Sequence, residues 1–214
     1  MDEQILPLIT SANIACGFHA SDPVVMSRTV KMAAESGVAA GAHPGYQDLV
    51  GFGRRNMNVA PAEVTDIVMY QIGALEAFCR ANGIAMQHVK PHGAMYNMAE
   101  KDDKLAEAIC RGIKAVNPDL ILLGPGSGKM VKAAKALGLK TAGEVFADRA
   151  YMEDGTLVPR SQEGAMITDE EEAVARVLEM VQKGTVTAIT GKKIEVQADS
   201  ICVHGDGQKA LLFV

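Results

Sequence analysis

Six short apolar runs in this chain each stop abruptly in polar or glycine-rich residues, at about 8–15, 38–43, 86–91, 120–124, 140–145 and 200–204. Most are separated by stretches with helical spacing. Repeated βα units of this kind require a mainly parallel sheet, because a parallel strand can lie beside its neighbour only after a long crossover. Folds built this way gather their ligand sites at the carboxyl ends of the strands. His19, His43, Glu144 and His204 all fall at or just after such ends, as does His92, so they are expected to line one hollow although far apart in sequence. Six strands are too few for a closed barrel unless another exists.

The sharpest of these ends is Gln87-His88-Val89-Lys90-Pro91-His92-Gly93. Met86 and Val89 supply the buried half of a strand, Pro91 ends the ladder because it has no N–H, and Gly93 lets backbone approach closely. His88 is expected on the opposite side of the strand from Val89, in a structural role. Asp22-Pro23 predicts the start of a helix that Gly37 ends, Pro61 starts one running to Asn82, Asp102-Asp103 caps a third, and Asp169 to Lys183 forms another. Between His43 and about Val59 lies a long loop with Tyr46, Asp48, Gly51, Phe52, Gly53, Arg54 and Arg55. Long ordered loops in compact domains are usually functional. Thr185 to Gln197 has strand-like residues about a Thr190-Gly191-Lys192 turn and reads as a hairpin or an irregular excursion.

Gly124-Pro125-Gly126-Ser127-Gly128-Lys129 superficially suggests a phosphate loop. The first glycine of that pattern would fall at Leu123 and its hydroxyl at Met130, so the match fails twice; a glycine-rich turn entering a helix can still hold an anion. With 214 residues, 48% hydrophobic and 22% charged, a single domain with one core is expected. The net charge of -5 and pI near 5.6, with no basic cluster, argue against a nucleic-acid partner. Cys16, Cys79, Cys110 and Cys202 are scattered without paired spacing, which fits packing residues in a reducing compartment. No run approaches ~18 apolar residues and the amino terminus is acidic. A cytoplasmic protein without membrane contact is expected.

The stretches Ser11-Ala12-Asn13-Ile14-Ala15-Cys16-Gly17-Phe18-His19-Ala20, Gly41-Ala42-His43-Pro44, Gly51-Phe52-Gly53-Arg54-Arg55, His88-Val89-Lys90-Pro91-His92-Gly93-Ala94, Phe146-Ala147-Asp148-Arg149 and Cys202-Val203-His204-Gly205-Asp206 together resemble the LamB/YcsF family of lactam-utilisation proteins, the 5-oxoprolinase A subunits. That resemblance implies an α/β fold, a distorted seven-stranded β/α (TIM-like) barrel of the glycoside hydrolase/deacetylase type. It also implies ATP-dependent opening of 5-oxoproline to glutamate, with ATP carried as a magnesium complex, in company with subunits B and C; self-association into a homo-oligomer is compatible with it. Family chains begin with a strand bearing an acidic Asp-x-Asn-x-Asp-x-Gly-Glu segment. Here that strand is expected to lie ahead of Met1, and a final helix to be cut short after Phe213, so that one domain is incomplete at both ends.

An unstrained five-membered lactam resists water, so the chemistry needs charges for phosphate and carboxylate and a base for water. Lys90, Arg149 and Arg160, with Arg54 or Arg55, suit the first need. His43 or His92 suits the second, with Glu144 or Asp148 as orienting partner or alternate base. Asn13, His19, His204 and Asp206 complete the candidate substrate or phosphate contacts, although Arg54 and Arg55 could simply pin their loop and Asp206 could cap a helix. No metal is assigned. The rival is a metal-dependent amide or carbohydrate deacetylase using a His-x-x-x-His pair. His88 and His92 match it numerically, but Pro91 makes a shared helical face implausible.

Overall fold

The computed structural model describes residues 2–204 and 211. The chain contacts group into two compact units: residues 2–123 with 128–141, and residues 124–127 with those from 142 onward.

In the first unit, α1 (Asp2–Ile5) and a 3-10 turn (Leu6–Leu8) lead into β1 (Ser11–Ala15), followed by α2 (Pro23–Glu35), β2 (Ala39–His43), α3 (Pro61–Ala81), β3 (Met86–Val89), α4 (Gly93–Ala99), α5 (Asp103–Val116), β4 (Ile121–Gly124) and α6 (Lys129–Ala136). β1 pairs with β2, β2 with β3 and β3 with β4, all parallel. β1 starts later than its apolar run suggests. Pro7 sits in the 3-10 turn, and Leu6 packs with Ala33 and Val38 instead of joining the ladder.

The expected caps form. Asp22 accepts from the N–H groups of Val24 and Val25, both at 2.8 Å, and Asp102 from those of Lys104 and Leu105 at 2.9 and 3.3 Å. Met26, Val30 and Ala33 turn inward from α2, and Leu105, Ala108, Ile109 and Ile113 from α5. Of the apolar face that the spacing of α3 predicts, Val64, Val68, Ile72 and Leu75 are buried and Ile67 and Phe78 half-buried, and Gln71 and Cys79 are buried with them. It meets α5 at Gly112, where an added Cβ would stand 2.9 Å from the Thr65 carbonyl and 3.1 Å from Val68. Thr65 also donates its hydroxyl to the Ala108 carbonyl at 2.9 Å. The short α4 was not anticipated, because Pro91-His92-Gly93 reads as loop. It holds because Ala94, Met95, Tyr96 and Ala99 are all buried.

The second unit pairs β5 (Lys140–Phe146) in parallel with β8 (Ser200–Cys202), with Val145 opposite Ile201. Between them come α7 (Glu170–Lys183) and an antiparallel hairpin of β6 (Thr185–Thr187) and β7 (Lys193–Glu195), as the sequence implied. Gly184 ends α7 at φ 63, and Asp169 caps its start by accepting from Glu172 N–H at 2.8 Å. Ala150, Val158, Ala165, Ile167 and Ala173 form a core beneath the long segment between β5 and α7. All four cysteines are buried thiols outside any disulfide. Among the described residues no helix is long and apolar enough to cross a membrane.

Gly112→Ala should destabilise the chain by about 1–3 kcal/mol, since the new methyl meets a carbonyl oxygen that cannot step aside. Gly73→Ala, on α3 with open space around it, should be neutral or stabilising by up to about 1 kcal/mol. Urea denaturation followed by circular dichroism measures both.

Candidate functional site

Three imidazoles meet in the first unit. His19 comes from the loop after β1, His43 is the last residue of β2, and His92 follows β3. Nδ1 of His43 lies 2.6 Å from the Lys90 carbonyl oxygen, and Nε2 of His92 lies 2.8 Å from that of Phe52. Their other nitrogens, His43 Nε2 and His92 Nδ1, are 2.9 Å apart. His19 stacks on His92 with ring centroids 3.8 Å apart and 4° between planes, and stands edge-on to His43 at 5.5 Å. Ligand-capable atoms of the three all lie within 4.8 Å of one another, so the group could hold a metal ion.

Burial governs the protonation of this cluster. It pushes His19 down to about 3, with the His92 and Arg54 charges adding to the effect. His43 is held well below the usual imidazole range by burial first, then by the charges of His92, Lys90 and His19, against the opposing hydrogen bond to the Lys90 carbonyl. Both rings are neutral near pH 7, the form in which imidazole binds metals and accepts protons.

The long loop after β2 closes over these rings, and its backbone is shaped for the purpose. Phe52, a non-glycine residue, takes φ 54 and thereby aims its carbonyl at His92. Gly53 follows at φ 65; a Cβ there would lie 2.7 Å from His19 Cβ and 2.8 Å from His92 Cδ2. The Gly53 carbonyl accepts from Ala94 N–H at 2.9 Å, tying the loop to the start of α4. Asp48, buried beneath the loop, accepts from Gly51 N–H and Arg55 Nε, each at 2.9 Å, and more closely from the Arg55 terminal nitrogen. The Arg55 hydrogen bond is the main cause holding its carboxyl down to about 2. Arg55 therefore pins the loop, while Arg54 lies over the Phe52 ring with its guanidinium carbon 4.9 Å from the centroid. On the other side, the fully buried Gln71 amide accepts from Gly45 N–H at 3.0 Å and donates to the Gly45 carbonyl at 2.9 Å. Gln71 escaped the sequence reading. Its only signal is a polar residue in the apolar stripe of α3.

His88 takes no part in this group. It is buried against Gly41, where a Cβ would come 2.0 Å from the ring, and its Nε2 is 3.1 Å from Asn13 Oδ1. Burial, then the Lys90 charge, pushes it down to about 4. Asn13 is thus engaged with His88, and the His88-x-x-x-His92 pair needed by the deacetylase rival does not form. The glycine-rich turn holds an acid of the chain's own. Glu100 accepts from Lys129 N–H at 2.8 Å and Met130 N–H at 3.2 Å, so the seat for an anion at the start of α6 is filled by the chain's own carboxylate. Lys129 meanwhile pairs with Asp103 at 2.8 Å.

The second unit holds its own charged group. Asp148 lies 2.8 and 3.1 Å from Nδ1 of His204. Burial works to raise the Asp148 pKa, but the hydrogen bond and charge of His204, helped by Arg160, hold it below the usual carboxylate range. Arg149 is buried and donates to the Val158 carbonyl at 2.6 Å. Arg160 is exposed, with one nitrogen 3.4 Å from the Met166 sulfur. Glu144 is buried on β5, and the Phe146 N–H one strand position beyond Val145 donates to the Tyr151 hydroxyl at 2.9 Å. Of the side chains expected to converge, His19, His43, Lys90 and His92 belong to the first unit, and Glu144, Asp148, Arg149, Arg160 and His204 to the second. Asp206 lies outside the described residues.

Residues 1–214 match the description of the LamB/YcsF family. The chain belongs to that family. It is 65% identical over 214 residues to the 5-oxoprolinase A subunit of Clostridium beijerinckii, covering 100% of this chain and 84% of that protein. It is 55% identical over 213 residues to the protein of the same name from Bacillus subtilis, covering 100% of this chain and 83% of that one. The crystal structure of a lactam utilization protein from Thermus thermophilus superposes with a TM-score of 0.94 at 46% identity, covering 100% of this chain and 86% of that chain. In this LamB/YcsF chain, the motif segments ending in His19, His43-Pro44 and Lys90-Pro91-His92, with Gly51 to Arg55, are the ones that build the imidazole cluster.

Gln71→Ala should cost on the order of 3 kcal/mol, because it leaves the Gly45 N–H and carbonyl buried without partners, and should increase proteolysis at the turn after His43; limited digestion with mass spectrometry reads the second effect. For His88 the folded pKa is depressed, so the unfolded chain binds the extra proton first. Its stabilising contribution is present above about 6.5 and is lost as pH falls towards about 4, up to about 3 kcal/mol in all. Denaturation midpoints across that window should fall for the native chain and change less for His88→Gln.

Proposed function

We propose that this chain is the A component of a 5-oxoprolinase, hydrolysing the lactam of 5-oxo-L-proline to L-glutamate with cleavage of ATP, together with subunits B and C in the cytoplasm. The observation that carries this reading is identity of 55–65% along the whole chain to proteins named as the A component of that enzyme. We place the parallel βα units in the distorted seven-stranded barrel that the family resemblance implies.

The chemistry divides among the groups already described. Water has to be activated beside a carbonyl that is a poor electrophile, and phosphorylation of the lactam oxygen by magnesium-bound ATP would turn it into a good one. Water activation falls to the His43–His92 pair, whose rings are fixed from behind by the Lys90 and Phe52 carbonyls. Lys90, almost wholly buried, supplies positive charge for an anionic oxygen of the substrate. Arg54, Arg149 and Arg160 are the remaining candidates for phosphate or carboxylate, and Asp148 with His204 forms a second acid–base couple.

ATP-dependent glutamate release from 5-oxoproline by the reconstituted three-component complex tests the assignment. His92→Ala in this chain should lower kcat by about 100-fold or more, within the usual range for loss of a general base. Turnover unchanged by that substitution would remove the cluster from the chemistry, and a complex that releases no glutamate would remove the function.

A further inference from the structure

His43 and His92 have four ring nitrogens between them. The outer two, at 2.6 and 2.8 Å from the Lys90 and Phe52 carbonyl oxygens, must carry protons, because a carbonyl only accepts. A neutral imidazole has a single N–H. In neutral rings the inner nitrogens, His43 Nε2 and His92 Nδ1, then both lack protons and stand 2.9 Å apart. Such a pair is repulsive unless a cation lies against both.

A proton could serve, at the expense of placing an imidazolium where Lys90 and Arg54 already bring positive charge. A metal ion suits the surroundings better, and three observations favour it. Each ring donates its far N–H to a backbone carbonyl, the arrangement that orients metal-bound histidines and raises their basicity. Two imidazole nitrogens on one zinc-like ion, each at about 2.1 Å, stand roughly 3.0–3.4 Å apart at ordinary ligand angles, close to the separation seen. The third imidazole, His19, has Nδ1 buried with no hydrogen-bond partner among the described residues.

We propose that His43 Nε2 and His92 Nδ1 bind a divalent first-row transition metal of the zinc class, with His19 as third ligand. In the parallel stack the His19 lone pairs lie in a plane offset from that of His92, so His19 must turn about its side-chain torsions to reach the ion. Gly45 and Gly53 flank that ring without side chains of their own; a Cβ on either would lie 2.8 Å from His19 Nδ1 or 2.7 Å from His19 Cβ. Three imidazoles leave one position for water, whose pKa such an ion lowers towards neutrality. The inference rests on the reading of this cluster as the water-activating part of a hydrolase. Imidazole donors select zinc, cobalt or nickel over magnesium.

The test uses the full chain stripped with a chelator, titrated with Co2+ by visible absorption and with Zn2+ by calorimetry. One equivalent should bind with micromolar or tighter affinity, with the spectrum of a low-coordinate cobalt site. His43→Ala and His92→Ala should each weaken binding about 100-fold or more, His19→Ala by less, and His88→Gln not at all. Should the alanine variants fail to fold, nitrogen NMR of the native chain decides. Zn2+ must shift one nitrogen in each of the His43 and His92 rings and leave the protonated nitrogens in place. Absence of binding below about 100 µM, or affinity indifferent to His43 and His92, overturns the site. Turnover by the reconstituted complex separates this inference from the function it rests on. Full turnover by metal-free protein overturns the ion's role and leaves the 5-oxoprolinase reading standing; tight binding in a complex that makes no glutamate supports the ion and removes the function.

Discussion

β2 and β3 remain hydrogen-bonded beyond their last paired residues, and the candidate site depends on this. Lys90 N–H donates to the Ala42 carbonyl at 2.9 Å, and His92 N–H to that of Pro44 at 2.8 Å. The two chain segments leave the sheet together, so the Lys90 carbonyl is delivered to the His43 ring and His92 comes up beside it. A parallel ladder offers this for little, because neighbouring strands end at the same rim and point the same way. Proline at 44 and at 91 contributes by having no N–H of its own. Those positions can accept but not donate, as Pro44 does towards His92, and the chain turns there instead of continuing as strand.

Around that fixed pair the sequence has removed side chains where backbone or imidazole must come close. Gly45, Gly53 and Gly93 surround the rings, and Gly93 at φ 55 would push a Cβ to 2.6 Å from the Gly53 carbonyl oxygen. Phe52 is the exception. It accepts a left-handed backbone that a non-glycine residue adopts reluctantly, and a strained conformation of this kind persists only where its surroundings enforce it. Asp48 with Arg55, and the bond from Ala94 to Gly53, supply that enforcement.

Much of this was legible beforehand. The six parallel strands lie close to their predicted positions because each has a strong local signal, an apolar run ended by proline, glycine or a charged residue. The caps at Asp22, Asp102 and Asp169 follow from side-chain chemistry that acts over three residues. The meeting of His19, His43 and His92 followed from topology, since strand ends are neighbours whatever their sequence separation. The tautomers did not, because they depend on which carbonyl faces which nitrogen, and the Phe52 carbonyl arrives from a loop with no periodic pattern. Gln71 and Glu100 were missed for a related reason. Each looks like an ordinary polar residue on a helix or turn until the backbone groups it satisfies, 26 to 30 positions away, are brought beside it by the fold.

Glu100 already occupies the glycine-rich turn before α6. Its carboxylate is tethered by the chain at the two amides that begin α6, and an incoming phosphate would have to evict a resident anion whose effective concentration, for a short tether, is of millimolar order or above. The turn thus carries its own competitive inhibitor. A nucleotide recognised by this chain would gain more by seeking donors that no internal acid already occupies.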